Sequence, residues 1–270
     1  MSTIVECRSA GLAWREVGRG EVVVFLHGLG GTSTAWAPQL AGFSMDRRCV
    51  AWDMPGYGDS DPVDPPDEMT FEQVADRLAD LLDELGADRA DLVGLSLGGM
   101  HALHTALRHP DRVRRLVLTN TSPRFGLDGT TAADWTASRL AVLDDGTTLR
   151  ELAPLVLDGL AASPLPVDRR HDLIESFARI PEAGFRAAVR CLPSHDVLDR
   201  LGAIARPTLV IAGELDTETP PSYSRALADG IPDARLELLA GVGHLGPSED
   251  PDMFNRLVAE FLDRPAGSPR

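Results

Sequence analysis

The 270-residue chain predicts an α/β fold, a mostly parallel eight-stranded sheet with helices on both faces and a helical insertion. Three observations carry this. Short β-branched or aliphatic runs alternate with stretches whose apolar residues recur at three- and four-residue spacing. The runs are apolar along nearly their whole length, as strands are when both faces of a parallel sheet are covered. One long segment, Thr121 to Arg206, keeps only the helical period.

Thr3–Arg8 and Leu12–Val17 read as two short strands joined through Ala10-Gly11 in an antiparallel hairpin. Further strands fall at Glu21–His27, Cys49–Asp53, Ala90–Leu95, Val113–Thr119, Thr208–Ala212 and Arg235–Leu239. Helices are predicted over Thr34–Phe43, Thr70–Leu85, Gly99–Arg108, Pro221–Asp229 and Asp250–Leu262. In the second of these Phe71, Val74, Leu78, Leu81, Leu82 and Leu85 form one apolar stripe. Within the insertion, helical periodicity appears around Trp135–Leu143, Thr148–Leu160, Asp168–Ile180 and Glu182–Cys191. Pro123, Pro154, Pro164, Pro166, Pro181 and Pro193 punctuate it, so short helices forming a lid over one sheet edge are expected. The organisation is a core over residues 1–121, a cap over 122–205, the second part of the core over 206–264 and a flexible tail over 265–270.

Composition narrows the chemistry. At 43% hydrophobic and 25% charged the chain is an ordinary globular protein, long enough for one α/β domain with an insertion. Its 26 basic residues are all Arg, against 41 acidic ones, for a net charge of −15. Without Lys there is no Schiff-base chemistry on a protein amine and no Walker-type phosphate loop. A net acidic surface argues against a nucleic-acid partner and reads as solvation. The first twenty residues carry Glu6, Arg8, Arg15, Glu16 and Arg19 with no signal-peptide run, and no segment approaches the length of a membrane span. A cytoplasmic protein without membrane partners is expected. Cys7, Cys49 and Cys191 are odd in number, widely spaced and outside any CxxC pairing, which fits free thiols in a reducing compartment. Oligomeric state leaves no mark on the sequence.

Gly94-Leu95-Ser96-Leu97-Gly98 is a G-x-S-x-G at the junction of a strand and a helix. A serine on so tight a turn projects Oγ out of the sheet, and side chains at the flanking glycines would collide with the neighbouring strand and helix. The amides that follow it open a helix, where they can hold a developing negative charge. Among seven histidines, His244 sits in Gly241-Val-Gly-His-Leu-Gly246 on a loop after the last strand, at the carboxyl edge where open α/β sheets place their sites. His101 and His104, at i,i+3 on the helix after the serine, lack a third metal ligand and read as packing residues, and His171 and His195 read as ordinary. A carboxylate must orient the base, and Asp216, one loop beyond Thr208–Ala212, is preferred to the nearer Glu214. Asn120, not Asp, follows Val113–Thr119, so no acid is placed there. Glycines in His27-Gly28-Leu29-Gly30-Gly31 let the Leu29 amide pair with that of Leu97 as an oxyanion hole, leaving His27 structural. Asp53-Met-Pro-Gly-Tyr-Gly-Asp-Ser60 reads either as a pocket wall or as a fixed connection. Gly241-x-Gly243-x-x-Gly246 matches a dinucleotide-binding spacing but has no room for the βαβ unit that should follow, so no cofactor is assigned.

Taken together, HGLGG, DMPGYGDS, GLSLGG, GELDTETP and GVGHLGPSEDPDMFN resemble the α/β-hydrolase superfamily over essentially the whole chain. Within it the chain is similar to 3-oxoadipate enol-lactone hydrolases, on Trp135-Thr-Ala-Ser-Arg139-Leu-Ala-Val, Phe185-Arg-Ala-Ala-Val-Arg-Cys191, Ile204 to Gly213 and His244-Leu through Phe254-Asn255. Gly243 and the Gly-Pro-Ser after His244-Leu depart from that pattern at the pocket mouth. The resemblance implies Ser96, Asp216 and His244 as a catalytic triad and Leu29 and Leu97 as oxyanion donors. It also implies Trp135 and Arg139 as substrate-binding, an ester or lactone as substrate, and no metal or cofactor. A carboxylated substrate would need Arg, with Arg139 first and Arg186 and Arg190 after it. Rival expectations are a C–C hydrolase of ring-cleavage diketones, a general carboxylesterase or perhydrolase, and a non-enzymatic ligand receptor. Serine at the elbow disfavours dehalogenase and epoxide hydrolase chemistry, which needs a carboxylate there.

Overall fold

The structure is a computed structural model describing residues 3–43 and 46–264. The tail expected over 265–270 lies outside the described residues. The strands are β1 (Val5–Ser9), β2 (Leu12–Gly18), β3 (Glu21–Leu26), β4 (Arg47–Asp53), β5 (Ala90–Leu95), β6 (Val113–Thr119), β7 (Thr208–Gly213) and β8 (Ala234–Leu239). Among the described residues they form one sheet in the order β1-β2-β4-β3-β5-β6-β7-β8. β2 pairs antiparallel with β1 and with β4, and every other neighbouring pair is parallel. The first hairpin turns at Ala10 and Gly11, both at positive φ (49° and 74°), the backbone twist that suits a two-residue hairpin loop.

Alternation along the strands feeds two cores. Val22, Val24 and Leu26 of β3 face one, and Val23 and Phe25 face the other. The helices between strands are α1 (Ala37–Phe43), α2 (Phe71–Glu84) and α3 (Leu97–Arg108), followed in the insertion by α4 (Ala132–Asp144), α5 (Leu149–Leu160), α6 (Val167–Ala178) and α7 (Glu182–Cys191). After β7 come α8 (Pro221–Gly230), the short α9 (Gly246–Glu249) and α10 (Pro251–Leu262). Helices α2, α3 and α8 close the first core through Phe71, Leu78, Leu103 and Leu227, and α1 and α10 close the second through Leu40, Phe43, Phe254 and Phe261. Each face of the sheet is thereby kept dry, which is what continuous apolar strands require.

Three local readings need correction. The helix expected over Thr34–Phe43 is a 3₁₀ turn, Ser33–Trp36, running into α1. Pro38 lacks the N–H that would continue an α-helical ladder back to Thr34, and Ala37 N–H bonds the Thr34 carbonyl instead. The helix expected from Asp250 begins at Pro251, with the Asp250 carboxylate accepting from Met253 N–H at 3.0 Å as its cap. Pro154 does not punctuate the insertion but lies inside α5, which runs through it. No helix among the described residues is long and apolar enough to cross a membrane.

Candidate active site

Ser96 stands between β5 and α3 at φ 53° and ψ −119°, a conformation that L residues adopt only when their surroundings enforce it. The surroundings are glycines. A Cβ on Gly94 would lie 2.5 Å from the Gly98 carbonyl, and one on Gly98 would lie 2.1 Å from the Leu26 carbonyl oxygen. Strand, turn and helix therefore approach more closely than any side chain permits, and the hydroxyl is pushed into a cavity of about 410 Å³.

His244 lines the same cavity. Its Nδ1 lies 2.9 Å from Asp216 Oδ2, with both side chains buried, so the ring donates from Nδ1 and leaves Nε2 for the cavity. Among the described residues no hydrogen bond joins Ser96 Oγ to the ring, and such contacts commonly tighten only with substrate bound. Asp216 is tied on every side. Its Oδ1 accepts from Glu218 and Thr219 N–H at 2.9 and 3.0 Å, and its Oδ2 accepts from Asn120 Nδ2 at 2.7 Å and Thr219 Oγ1 at 2.8 Å. Burial alone would raise this carboxyl, but the bonds from His244, Asn120 and Thr219 outweigh it and hold it below its ordinary value. Glu214, the rival carboxylate, is exposed and accepts from Gly241 N–H at 3.3 Å.

The other face of the cavity begins at Leu29. Its N–H and that of Leu97 are absent from the turn hydrogen bonds that tie down Gly31, Gly99 and Met100, and Leu97 opens α3, where helix geometry leaves amides without intrahelical acceptors. Buried His27 also lines the cavity, with both ring nitrogens committed to the backbone. Its Nε2 accepts from Met54 N–H at 3.1 Å, so Nδ1 carries the proton and donates to Gly28 O at 2.9 Å. Tyr57 donates to the Leu29 carbonyl at 3.2 Å, while Asp53 accepts from Ser33 N–H at 2.7 Å and Asp59 N–H at 3.2 Å. The DMPGYGDS loop is thus a fixed connection behind the Leu29 turn, and none of its residues lines the cavity.

All four insertion helices contribute to the cavity, through Trp135 of α4, Leu152 of α5, Phe177 of α6 and Phe185 of α7 among others. A second cavity of about 430 Å³ adjoins it and shares Ser96, Trp135, Arg139 and Glu218. Arg139 lies 5.3 Å over the Trp135 ring and donates to Glu218 at 3.1 Å, so its charge is already paired. Arg186 and Arg190 line neither cavity, contrary to the expectation that they serve a carboxylated substrate. Arg186 is held at 2.7 Å by both Glu182 and Asp144, and Arg190 is exposed.

Two residues escaped the sequence reading. Asn120, read there only as a missing acid, sits at φ 46° and bridges Asp216 to the Gly243 carbonyl, to which Nδ2 donates at 3.1 Å. His195, read as ordinary, donates from Nε2 to Ser122 O at 2.8 Å and accepts at Nδ1 from His104 Nε2 at 3.1 Å. Asn120's positive φ at a strand end, a region that Asn tolerates, shows only in the fold and gave no sign in the sequence. His101, His104 and His195 pack around Phe71, and burial holds all three below the ordinary imidazole value, His104 at about 4 and His195 at about 3. Among the described residues no group of three or more His, Cys, Asp or Glu could hold a metal.

Comparison with known proteins agrees with this geometry. The alpha/beta hydrolase fold family matches residues 21–153. A protein of Variovorax paradoxus (strain S110) named "Putative carbamate hydrolase RutD" is 35% identical over 250 residues, 91% of this chain and 92% of its own. The 2-hydroxymuconate semialdehyde hydrolase of Pseudomonas sp. (strain CF600) is 35% identical over 257 residues, 91% of this chain and 88% of its own. The crystal structure of the enol-lactonase from Burkholderia xenovorans LB400 superposes with a TM-score of 0.83 at 27% identity, covering 96% of this chain and all of that one. An eight-stranded sheet, a serine at its strained turn and relatives matched over nine-tenths of the chain lead to one conclusion: this chain belongs to the α/β-hydrolase family.

Proposed function

We infer that the protein is a serine hydrolase that cleaves an ester or lactone through an acyl-enzyme intermediate. The observation that carries this is the convergence of Ser96, on a turn only glycines permit, with His244, whose Nδ1 is held at 2.9 Å by Asp216, in one cavity. His244 Nε2 takes the Ser96 proton as Oγ bonds to the carbonyl carbon. The Leu29 and Leu97 amides hold the oxyanion, each worth roughly 3–4 kcal/mol in such sites. On collapse the carbon–oxygen bond to the leaving group breaks, and that oxygen takes the proton from His244. Water, deprotonated by His244, then adds to the acyl carbon, the bond to Ser96 Oγ breaks, and Oγ takes the proton back from His244 as the acid leaves, while Asp216 stabilises the imidazolium in between. Residues 122–205 act as a cap that gives the substrate an apolar enclosure.

A second reading, hydrolysis of a carbon–carbon bond in a ring-fission diketone, is favoured by the 35% identity to the protein named 2-hydroxymuconate semialdehyde hydrolase. A screen of enol-lactones, simple esters, carbamates and vinylogous diketones, with Ser96→Ala as control, separates the readings. Turnover of esters or lactones that vanishes in the variant is the expected result. Turnover confined to diketones establishes the second reading, and ester cleavage surviving in Ser96→Ala overturns the first.

A further inference from the structure

The loop carrying His244 is gripped by a carboxylate that the proposed chemistry does not use. Glu249, the last residue of α9, accepts from Gly243 N–H through Oε1 and Oε2 at 3.1 and 3.0 Å, and from Leu245 N–H through Oε1 at 2.9 Å. Those two donors flank His244. Its Oε2 also accepts, at 2.8 Å, from Ala162 N–H, just beyond the end of α5. His244 N–H donates in turn to the Leu160 carbonyl at 2.9 Å. Three consecutive amides of the base loop are thus committed, two to one carboxylate and one to α5, and bonds to an ionised acceptor are the stronger kind. The join is close. A Cβ on Gly243 would lie 2.7 Å from both Ala162 N and Leu160 O, so the departure from the resembled pattern at this glycine is what lets the insertion meet the loop. Leu157, Leu165, Leu173 and Leu245 pack together beneath it.

We propose that Glu249 is the positioning residue of His244, fixing its backbone from both sides and locking it to the insertion. Asp216 holds the ring, and Glu249 holds the backbone that carries the ring. The proposal rests on the reading of His244 as general base. It differs from a stabilising role in one respect: loosening Glu249 misplaces Nε2 in enzyme that is still folded.

Glu249→Gln keeps the shape but replaces one acceptor oxygen with an amide NH2 that faces N–H donors. Its turnover of 4-nitrophenyl butyrate, per site titrated with a fluorophosphonate, is expected to fall about 10- to 100-fold with KM within about threefold, as a displacement near 1 Å produces. Amide hydrogen exchange should quicken at 160–162 and 243–245 and stay unchanged at 94–100. Ala162→Pro, following Ala161 at ψ 137°, removes the donor on the insertion, sets the ring Cδ against Glu249 Oε2, and so breaks the same join from the other side if the Gln variant does not fold. It should give the same split, a lower kcat with KM held. Wild-type turnover per titrated site in both variants, with only a lower melting temperature, would make Glu249 merely stabilising and overturn the proposal. Wild-type protein that neither labels at Ser96 nor cleaves the ester would instead overturn the serine-hydrolase reading, and this proposal with it.

Discussion

Ser96 and His244 line one cavity but are held there by opposite means. The serine is set by missing side chains, since Gly94 and Gly98 let strand, turn and helix close to distances that a Cβ would forbid. The histidine is set by present ones: Asp216 on its ring, Asn120 on Asp216 and on the Gly243 carbonyl, and Glu249 on the amides either side. One arrangement is local and steric, so a short stretch of sequence encodes it. The other is assembled from residues far apart in the chain, so its parts fail one at a time.

That contrast orders the consequences of mutation. Gly98→Ala places a Cβ 2.1 Å from the Leu26 carbonyl oxygen, a backbone atom that cannot step aside. It should cost about 3 kcal/mol or more of stability and abolish turnover, measured by urea unfolding and ester hydrolysis. A fully active, stable Gly98→Ala protein would break the steric half of the comparison.

Asn120→Ala strikes the other half. It removes a donor from buried Asp216 and from the Gly243 carbonyl, at a cost of about 1–3 kcal/mol for groups left short of a partner. We expect a folded protein with kcat lowered roughly tenfold and KM little changed. An unaltered kcat would remove Asn120 from the support of Asp216.

Acid should act through the buried histidines that join α3 to the segment after α7. His104 and His195 stay neutral in the folded protein to about 4 and about 3, against an ordinary value of 6.5, because burial disfavours their charged forms. The unfolded chain therefore takes up protons first as pH falls. Stability is complete above pH 6.5 and is lost toward pH 4, at about 1.4 kcal/mol per pH unit for each histidine. Urea midpoints at pH 7.5, 5.5 and 4.5 measure the slope. His101, whose two ring nitrogens meet no hydrogen-bond partner among the described residues, should tolerate Leu with stability unchanged or improved.

The smallest effect belongs to Arg139→Ala. The side chain is 40% exposed and paired with Glu218, so stability should change by less than about 0.5 kcal/mol. Turnover of a neutral ester should hold, while a carboxylated lactone should bind more weakly if Arg139 exchanges Glu218 for substrate. Equal KM values for the two substrates in wild type and variant would end the case for Arg139 as an anion site.

What the sequence made legible follows the same division. Gly94, Ser96 and Gly98 declare themselves because one strained turn demands them together, and Asp216 follows from its place just past a strand. The sheet was readable because continuous apolar runs such as EVVVFL have few other homes. Asn120 and Glu249 were not, because nothing near them in the chain says that the Asn120 amide meets Asp216 or that the Glu249 carboxylate meets Ala162. Arg186 was misjudged in part for a related reason: Glu182, one turn before it on α7, was a legible partner, but Asp144 lies on another helix, and a periodic pattern does not say that it also claims the charge.

The central claim is that the folded protein presents Ser96 as a nucleophile activated by His244. A fluorophosphonate probe, followed by mass spectrometry of the labelled peptide, tests it most directly. The account predicts one label per chain, on Ser96, with none on Ser96→Ala and labelling at least about a hundredfold slower on His244→Ala. Folded wild-type protein left unlabelled, or labelled on another residue at the same rate in all three proteins, would contradict it.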